Sequence, residues 1–343
     1  MKKVLFLYVE LSGYLISCLH TLADNYDVEV TVIHRPPNSK APFSFQKEKN
    51  ISFHLKSSIK SLNNFVNKLN PHIICVSGWM DKDYLKICKR FKKKIPVISC
   101  IDTNWKGTLK QKIVAPFFNF LYQRYYTHFW ISGKPQIKFL TKMKVPKNKI
   151  IKGFYSANVK IFNDAYNKFK KIKERKYPHN MLFVGRLIDK KGIKELYESF
   201  SELDTDWTLT LIGTGNLKNK LKEKKNIFIK GFIQPNKLPN LTKDAGIFIL
   251  PSKEEPWGVV IHEFASSGIP IICSDNCGAA TMFVKKGRNG FIFKSNNKNS
   301  IKSTIKKMIS LSDKQLLRMG KESLELSKQI TPESWASTLY KLI

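Results

Sequence analysis

The chain has 343 residues, enough for two domains of ordinary size, and its 42% apolar content supports real cores. No run of 18 apolar residues occurs, which excludes a membrane-spanning helix from the reading, and six cysteines without a C-x-x-C pair argue against a zinc site and for buried free thiols in a reducing compartment. The formal net charge of +34 is extreme; residues 1–162 hold 28 basic and 8 acidic side chains and residues 181–343 hold 26 and 16, so the excess lies mainly in the first half. Such a field attracts nucleic acid, anionic lipid or an acidic substrate, although abundant Lys, Asn and Ile also point to an AT-rich genome.

The N-terminus has two readings. Lys2-Lys3 before the apolar Val4–Val9, followed by Leu15-Ile-Ser-Cys18, resembles a signal peptide with a lipoprotein box. Glu10 interrupts the apolar run, and the favoured reading is strand, loop and helix of a mature cytoplasmic protein. Lys3–Tyr8 is then a first buried parallel strand, and Gly13 in the loop after it permits a sharp turn and close ligand approach. Leu15, Leu19 and Leu22 recur at helical spacing. Val28–Ile33, Ile51–Leu55, Ile73–Ser77 and Val97–Cys100 read as further strands, with Ile59–Leu69 helical and stopped by Asn70-Pro71. Strands alternating with helices indicate a doubly wound parallel sheet, whose strand-end loops, Asp102–Gly107 among them, gather at one edge.

Thr108–Trp130 carries eight aromatic side chains interspersed with Lys110, Lys112 and Arg124, after Lys106. Two readings stand: a basic amphipathic helix lying in a membrane interface, or a core helix whose aromatics pack on the sheet. The clusters 91–94 and 142–149 read as solvated charge that also suits anionic lipid. Residues 163–180 are polar and Lys-rich and read as an interdomain linker with some helix. The division is thus 1–162, a linker at 163–180, a second domain at 181–330, and a last helix in 331–343 returning to the first domain.

The second domain has a strict strand–helix rhythm. Met181–Val184 ends in Gly185-Arg186, with Lys191 five residues on; Trp207–Ile212 ends in Gly213-Thr-Gly215; Ile227–Ile229 leads to Phe232 and Ile233. Ile247–Leu250 opens into the stretch on which the chain is organised, PSKEEPWGVVIHEFASSGIP at 251–270. There Glu255 and Glu263 stand with seven residues between them, and Gly258 marks a helix start. The free N–H groups of a helix start hold anions. Carboxylates beside a bound phosphate serve another purpose, and sugar hydroxyls, which donate hydrogen bonds to them, are the natural one. For any one of these features a bland reading competes: a solvated acidic pair, a tight glycine turn, ordinary strand-end packing around Phe232.

Taken in order, Gly185-Arg186 with Lys191, Gly213-x-Gly215, Glu255-Pro-Trp-Gly258 with Glu263, and Gly268-x-Pro270 resemble the family 4 retaining glycosyltransferases of the GT-B fold. The resemblance is strong over 181–293, weaker over 127–162 and only architectural before that. It implies an α/β protein of two Rossmann-like doubly wound domains facing across a cleft, the first acceptor-side, the second binding a UDP- or GDP-linked sugar. It implies that Arg186 and Lys191 neutralise the diphosphate, that Glu255 stands near the donor sugar, and that Glu263 holds ribose hydroxyls. Gly185, Gly213 and Gly215 then line the nucleotide, Phe232 and Ile233 frame the base, and Trp257, Gly258 and Val259 offer backbone N–H groups. The implied route is same-face attack with the leaving phosphate oxygen taking the acceptor proton, without a cofactor or metal ion; no D-x-D motif stands at a strand end. A covalent role for Glu255 is the less favoured route.

The chain departs from the family's pattern in three places. Gly13 alone remains of a Gly-rich first loop, Asp102 stands where a histidine is common, and Met282 replaces an acidic residue. Gly13 and Asp102 are the acceptor-side candidates. His262 beside Glu263 reads as a structural histidine, since helix neighbours point apart. The expected activity is hexosyl transfer to a glycan or lipid-linked acceptor in cell-surface polysaccharide biosynthesis, in the cytoplasm or peripherally at the inner face of an anionic membrane. A sugar-nucleotide epimerase of similar fold is the alternative enzyme. A nucleic-acid-binding protein would explain the charge but lacks helix-turn-helix, zinc or aromatic RNA-binding signatures.

Overall fold

The computed structural model describes residues 1–36 and 50–343. The chain divides into two units, Met1–Ser156 with Ile330–Ile343, and Ala157–Gln329.

The first unit is built on a seven-stranded parallel sheet. In chain order it runs β1 (Lys2–Leu7), α1 (Gly13–Asn25), β2 (Val28–His34), β3 (Ile51–Leu55), α2 (Leu62–Leu69), β4 (Ile73–Ser77), α3 (Lys82–Phe91), β5 (Val97–Ile101), α4 (Leu109–Tyr122), β6 (His128–Ile131), α5 (Lys134–Lys142) and β7 (Ile150–Lys152). The strand order is β3-β2-β1-β4-β5-β6-β7, so β1 pairs with β2 on one side and β4 on the other. Successive side chains of a strand point to opposite faces, and β1 shows the consequence. Val4 and Phe6 enter the core under α1, while Leu5 and Leu7 enter the core under α2 to α5. A strand buried on both faces must be apolar throughout, which is why these strands read as unbroken hydrophobic runs.

The aromatic stretch 108–130 is not one helix. α4 ends at Tyr122, and Phe129 and Trp130 belong to β6, both fully buried. A run of His-Phe-Trp-Ile, apolar on both faces, suits a central parallel strand better than a helix with one wet face. The aromatics of α4 are themselves divided: Phe118 and Tyr122 pack with Trp79, Phe129 and Phe139, whereas Phe117 and Phe120 face solvent. β7 is a short strand that the sequence reading did not separate from its surroundings.

The helix at the C-terminus, Pro332–Tyr340, lies against α1 within this first unit. Its Trp335 is 1% exposed, stacks on Trp130 with centroids 4.8 Å apart, and donates its indole N–H to the Phe154 carbonyl at 2.7 Å.

The second unit opens with α6 (Val159–Arg175), which takes up most of the polar stretch read as a linker with some helix. It is amphipathic: Phe162, Ala165 and Phe169 are buried at helical spacing, and its lysines, apart from Lys173, lie at least partly in solvent. There follow β8 (Asn180–Val184), α7 (Ile193–Ser201), β9 (Thr208–Ile212), β10 (Ile227–Lys230), β11 (Ile247–Leu250), α8 (Val259–Ser266), β12 (Ile271–Ser274), α9 (Ala280–Phe283), β13 (Gly290–Phe293), α10 (Lys298–Ile309) and α11 (Asp313–Ser327). The parallel sheet has the order β10-β9-β8-β11-β12-β13. The chain thus moves outward on one side of β8, then returns to its other side at β11. The point of such a reversal, beyond the strand ends, is the usual ligand position in open α/β sheets. All six cysteines of the chain are buried free thiols.

One stability prediction follows from the C-terminal helix. Trp335→Ala removes a large buried ring and leaves the Phe154 carbonyl without its donor, and should destabilise the first unit by about 3–5 kcal/mol. Urea unfolding followed by a probe in the first unit measures this; an unchanged midpoint would mean that the helix contributes nothing to that core.

Candidate active site

β8 and β11 lie side by side, with Met181 opposite Ile247 and Leu182 opposite Phe248. The loops that leave their C-terminal ends, 185–192 and 251–258, therefore meet although they are far apart in sequence. Backbone bonds join them: Lys253 N–H donates to the Lys190 carbonyl at 2.9 Å. The join depends on Gly192, which has φ +65°, and a Cβ there would stand 2.1 Å from the Pro251 oxygen. No side chain fits that approach. The loop after β12 closes the other flank, with Gly278 N–H bonded to the Glu255 carbonyl and Ala279 N–H to the Trp257 carbonyl.

This meeting places Lys191 against Glu255. Its Nζ bonds Oε2 of the carboxylate, which also accepts from Ser252 Oγ at 3.2 Å, and the two charged side chains are only 17% and 12% exposed. A pair so withdrawn from water interacts far more strongly than a surface pair. Beside it, Lys253 bridges Asp189 at 2.8 Å and Glu195 at 2.7 Å, tying the same two loops and the first turn of α7. Arg186, at the end of β8, is exposed and makes no ion pair among the described residues. Arg186 and Lys191 thus share the loop 185–192, and of the two Lys191 alone has a carboxylate partner among the described residues. Among the described residues no group of three or more His, Cys, Asp or Glu is placed to hold a metal ion.

α8 begins at Gly258, which sits at φ +91° as the N-cap; a Cβ there would press on Glu255 Cγ at 2.9 Å. The cap has no side chain of its own, so the first N–H groups of the helix, Val259 among them, are offered outward rather than capped. Trp257 is turned inward, 2% exposed, its ring edge-on to Phe283. Glu263 lies one turn into the helix. It is partly buried and its carboxyl has no hydrogen-bond or ion-pair partner among the described residues; burial pushes its pKa up to about 7. Its neighbour His262 is fully engaged. Nδ1 accepts from Ala157 N–H at 3.1 Å and Nε2 donates to the Ser327 carbonyl at 2.8 Å, which fixes the neutral tautomer. Burial lowers its pKa to about 4, so it is a structural residue.

Gly213 and Gly215 have a packing reason for being glycine. A Cβ on Gly213 would meet the Gly185 oxygen at 1.9 Å, and one on Gly215 would meet the Leu187 oxygen at 2.3 Å, both at positive φ. They bring the loops after β8 and β9 into contact. Phe232 and Ile233, after β10, lie further along the same edge; Phe232 is 36% exposed. In the first unit, Gly13 opens α1 and Asp102 follows β5, where it accepts from Tyr155 Oη at 3.2 Å. Burial, with the Tyr14 and Asp102 neighbours, holds the Tyr155 phenol well above its ordinary value. Ser252, Lys253 and Gly192 were not singled out from the sequence as site residues. Lys253 has its partners Asp189 and Glu195 64 and 58 residues away in sequence, which no local motif announces.

The two parallel sheets and their connections define the GT-B fold. Anabaena Alr3699/HepE, solved in complex with UDP and glucose, superposes with a TM-score of 0.74 over 99% of both chains at 14% identity. The sequence model of the family described as Glycosyl transferases group 1 matches residues 164–325 of this chain. The capsular polysaccharide biosynthesis glycosyltransferase CapM of Staphylococcus aureus is 25% identical over 339 residues, covering 82% of this chain and 86% of that relative. The putative teichuronic acid biosynthesis glycosyltransferase TuaC of Bacillus subtilis is 32% identical over 104 residues, 30% of this chain. The chain spans 26% of the length of TuaC, and 35% and 56% of two curated relatives from Methanocaldococcus jannaschii.

The raised pKa of Glu263 has a measurable sign. Below about pH 4.5 the carboxyl is neutral in both folded and unfolded chains; as pH rises towards 7 the unfolded chain ionises first, and stability is lost. Glu263→Gln should therefore match the parent near pH 4 but exceed it by up to about 3 kcal/mol at pH 8 without ligand. Thermal melting at the two pH values tests this, and equal shifts at both would contradict the burial assignment.

Proposed function

We propose that the chain is a retaining hexosyltransferase that moves a sugar from a nucleotide-diphosphate donor to a glycan or lipid-linked acceptor in cell-surface polysaccharide biosynthesis. It works in the cytoplasm, at the inner face of the membrane, without a metal ion. The observation that carries this reading is the uncompensated Arg186 and the mostly buried Lys191–Glu255 pair on loops that a strand-order reversal brings together. The family-model match over residues 164–325 supports the reaction class, and the names of CapM and TuaC support the pathway class. The UDP and glucose found with HepE favour a UDP-linked donor over a GDP-linked one.

In this mechanism the diphosphate lies across Arg186, Lys191 and the first N–H groups of α8. Bond breaking between the anomeric carbon and the phosphate oxygen builds negative charge on the leaving group. Fixed cations and N–H dipoles meet that charge without reorganising, which is where such sites gain most of their rate. The acceptor hydroxyl attacks from the same face, its oxygen bonds the anomeric carbon, and its proton passes to the departing phosphate oxygen. Glu255 holds Lys191 in place and accepts from donor-sugar hydroxyls. Glu263 accepts from ribose hydroxyls; those donors stabilise the ionised carboxylate, so nucleotide binding and its deprotonation are linked. Gly13 and Asp102 belong to the acceptor side. Gly185, Gly213 and Gly215, with Phe232, Ile233, Trp257 and Val259, shape the nucleotide side.

Three substitutions separate these roles. Glu263→Ala should weaken UDP binding about 10- to 100-fold in calorimetry. Glu255→Ala should leave UDP affinity within about threefold while lowering turnover about 100-fold, and Lys191→Ala should lower kcat about 10²- to 10³-fold. Wild-type transfer rates in both glutamate variants would sink the assignment.

A further inference from the structure

One face of α4 is apolar where a surface helix is ordinarily charged. Leu109, Ile113, Phe117 and Phe120 recur at helical spacing and are 75%, 60%, 60% and 71% exposed. Met80, 82% exposed, follows Trp79, whose ring packs on Phe118 and Tyr122 of the same helix. One helical turn past Phe120 comes Arg124. Its guanidinium lies over the Tyr125 ring, 5.2 Å from the centroid, and donates to the Leu121 carbonyl at 3.0 Å. Arg124 is also one wall of an open basin of about 690 Å³, whose other basic walls are Lys86, Lys89, Arg90, Lys92 and Lys93 from α3 and the turn after it. Gln123 completes the lining, so no carboxylate faces inward. The surroundings share this bias: residues 84–156 contain 17 basic side chains and one acidic one, Asp102.

The stripe and the basin together restrict what can cover them. An acidic glycan or a nucleic acid would neutralise the basin and leave four large apolar side chains in water. A second copy of this chain would set like charge against like charge at the basin. An anionic bilayer satisfies both features, since it presents phosphates at the surface and hydrocarbon a few ångströms beneath. We propose that α4 and the basin at its C-terminal end dock the chain on an anionic phospholipid bilayer. The stripe enters the interface and the basin holds headgroup phosphates. The chain needs no spanning segment for this, and no helix among its described residues is long and apolar enough to be one. This docking goes beyond the donor-site reading and is independent of it.

The test is sedimentation of the full chain with phosphatidylcholine vesicles, with and without phosphatidylglycerol. Two variants accompany it: Phe117→Ser with Phe120→Ser, and Lys89→Glu with Arg90→Glu and Lys93→Glu. All five positions are exposed, so thermal melting and its shift with UDP should match the parent, which separates this test from any failure of the donor-site reading. The parent should prefer phosphatidylglycerol vesicles, and each variant should lose at least about tenfold in binding to them. Equal binding to both vesicles, or parent-like binding by either variant, would overturn the proposal. So would a dimer in sedimentation velocity that the two serine substitutions dissolve while vesicle binding is unchanged; the stripe would then belong to a second copy.

Discussion

The contact between Lys191 and Glu255, 64 residues apart in sequence, depends on the reversal of strand order at β8 and β11. Adjacent parallel strands deliver their loops to one edge, and a reversal of strand order is where open α/β sheets usually bind ligands. Everything chemical in the second unit is arranged on that edge. Gly192 lets the two loops touch, Lys253 ties them by charge, and α8 starts from the same place. A fixed cation at such an edge costs desolvation, which Glu255 offsets when no anion is bound.

The two glutamates of the organising stretch illustrate how surroundings assign different work to one side chain. Glu255 is paired with a lysine and steadied by a serine hydroxyl. Glu263 has neither and sits where ionisation is disfavoured near neutral pH. One carboxylate thus has its partners in place, and the other has none among the described residues.

Much of this was legible in the sequence because the relevant signals are local. Runs such as Ile247–Leu250 and Val97–Ile101 announce strands buried on both faces, and the spacing from Gly185 to Glu263 carries the family pattern. The misreadings also have local causes. Trp130 looked helical because aromatics on either side of Gln123 to Thr127 form one composition, yet the chain changes from helix to strand within it. Gly213 and Gly215, expected either to admit a nucleotide or to make a simple tight turn, have a packing reason as well: the carbonyls of Gly185 and Leu187 stand where a side chain would begin. Partnerships such as Lys253 with Glu195, or the basin shared by α3 and Arg124, depend on which strands neighbour each other. No stretch of sequence states that.

His262 bonds both to Ala157, the first residue of the second unit, and to Ser327, two residues before its end. A single imidazole thus fastens the two points at which the polypeptide enters and leaves that unit. The second unit is topologically a guest inserted into a host whose own sequence is split. A nonsense change near position 330 would accordingly spare the guest and strip the host of its tryptophan-bearing helix, so a break after the guest would injure the unit that precedes it.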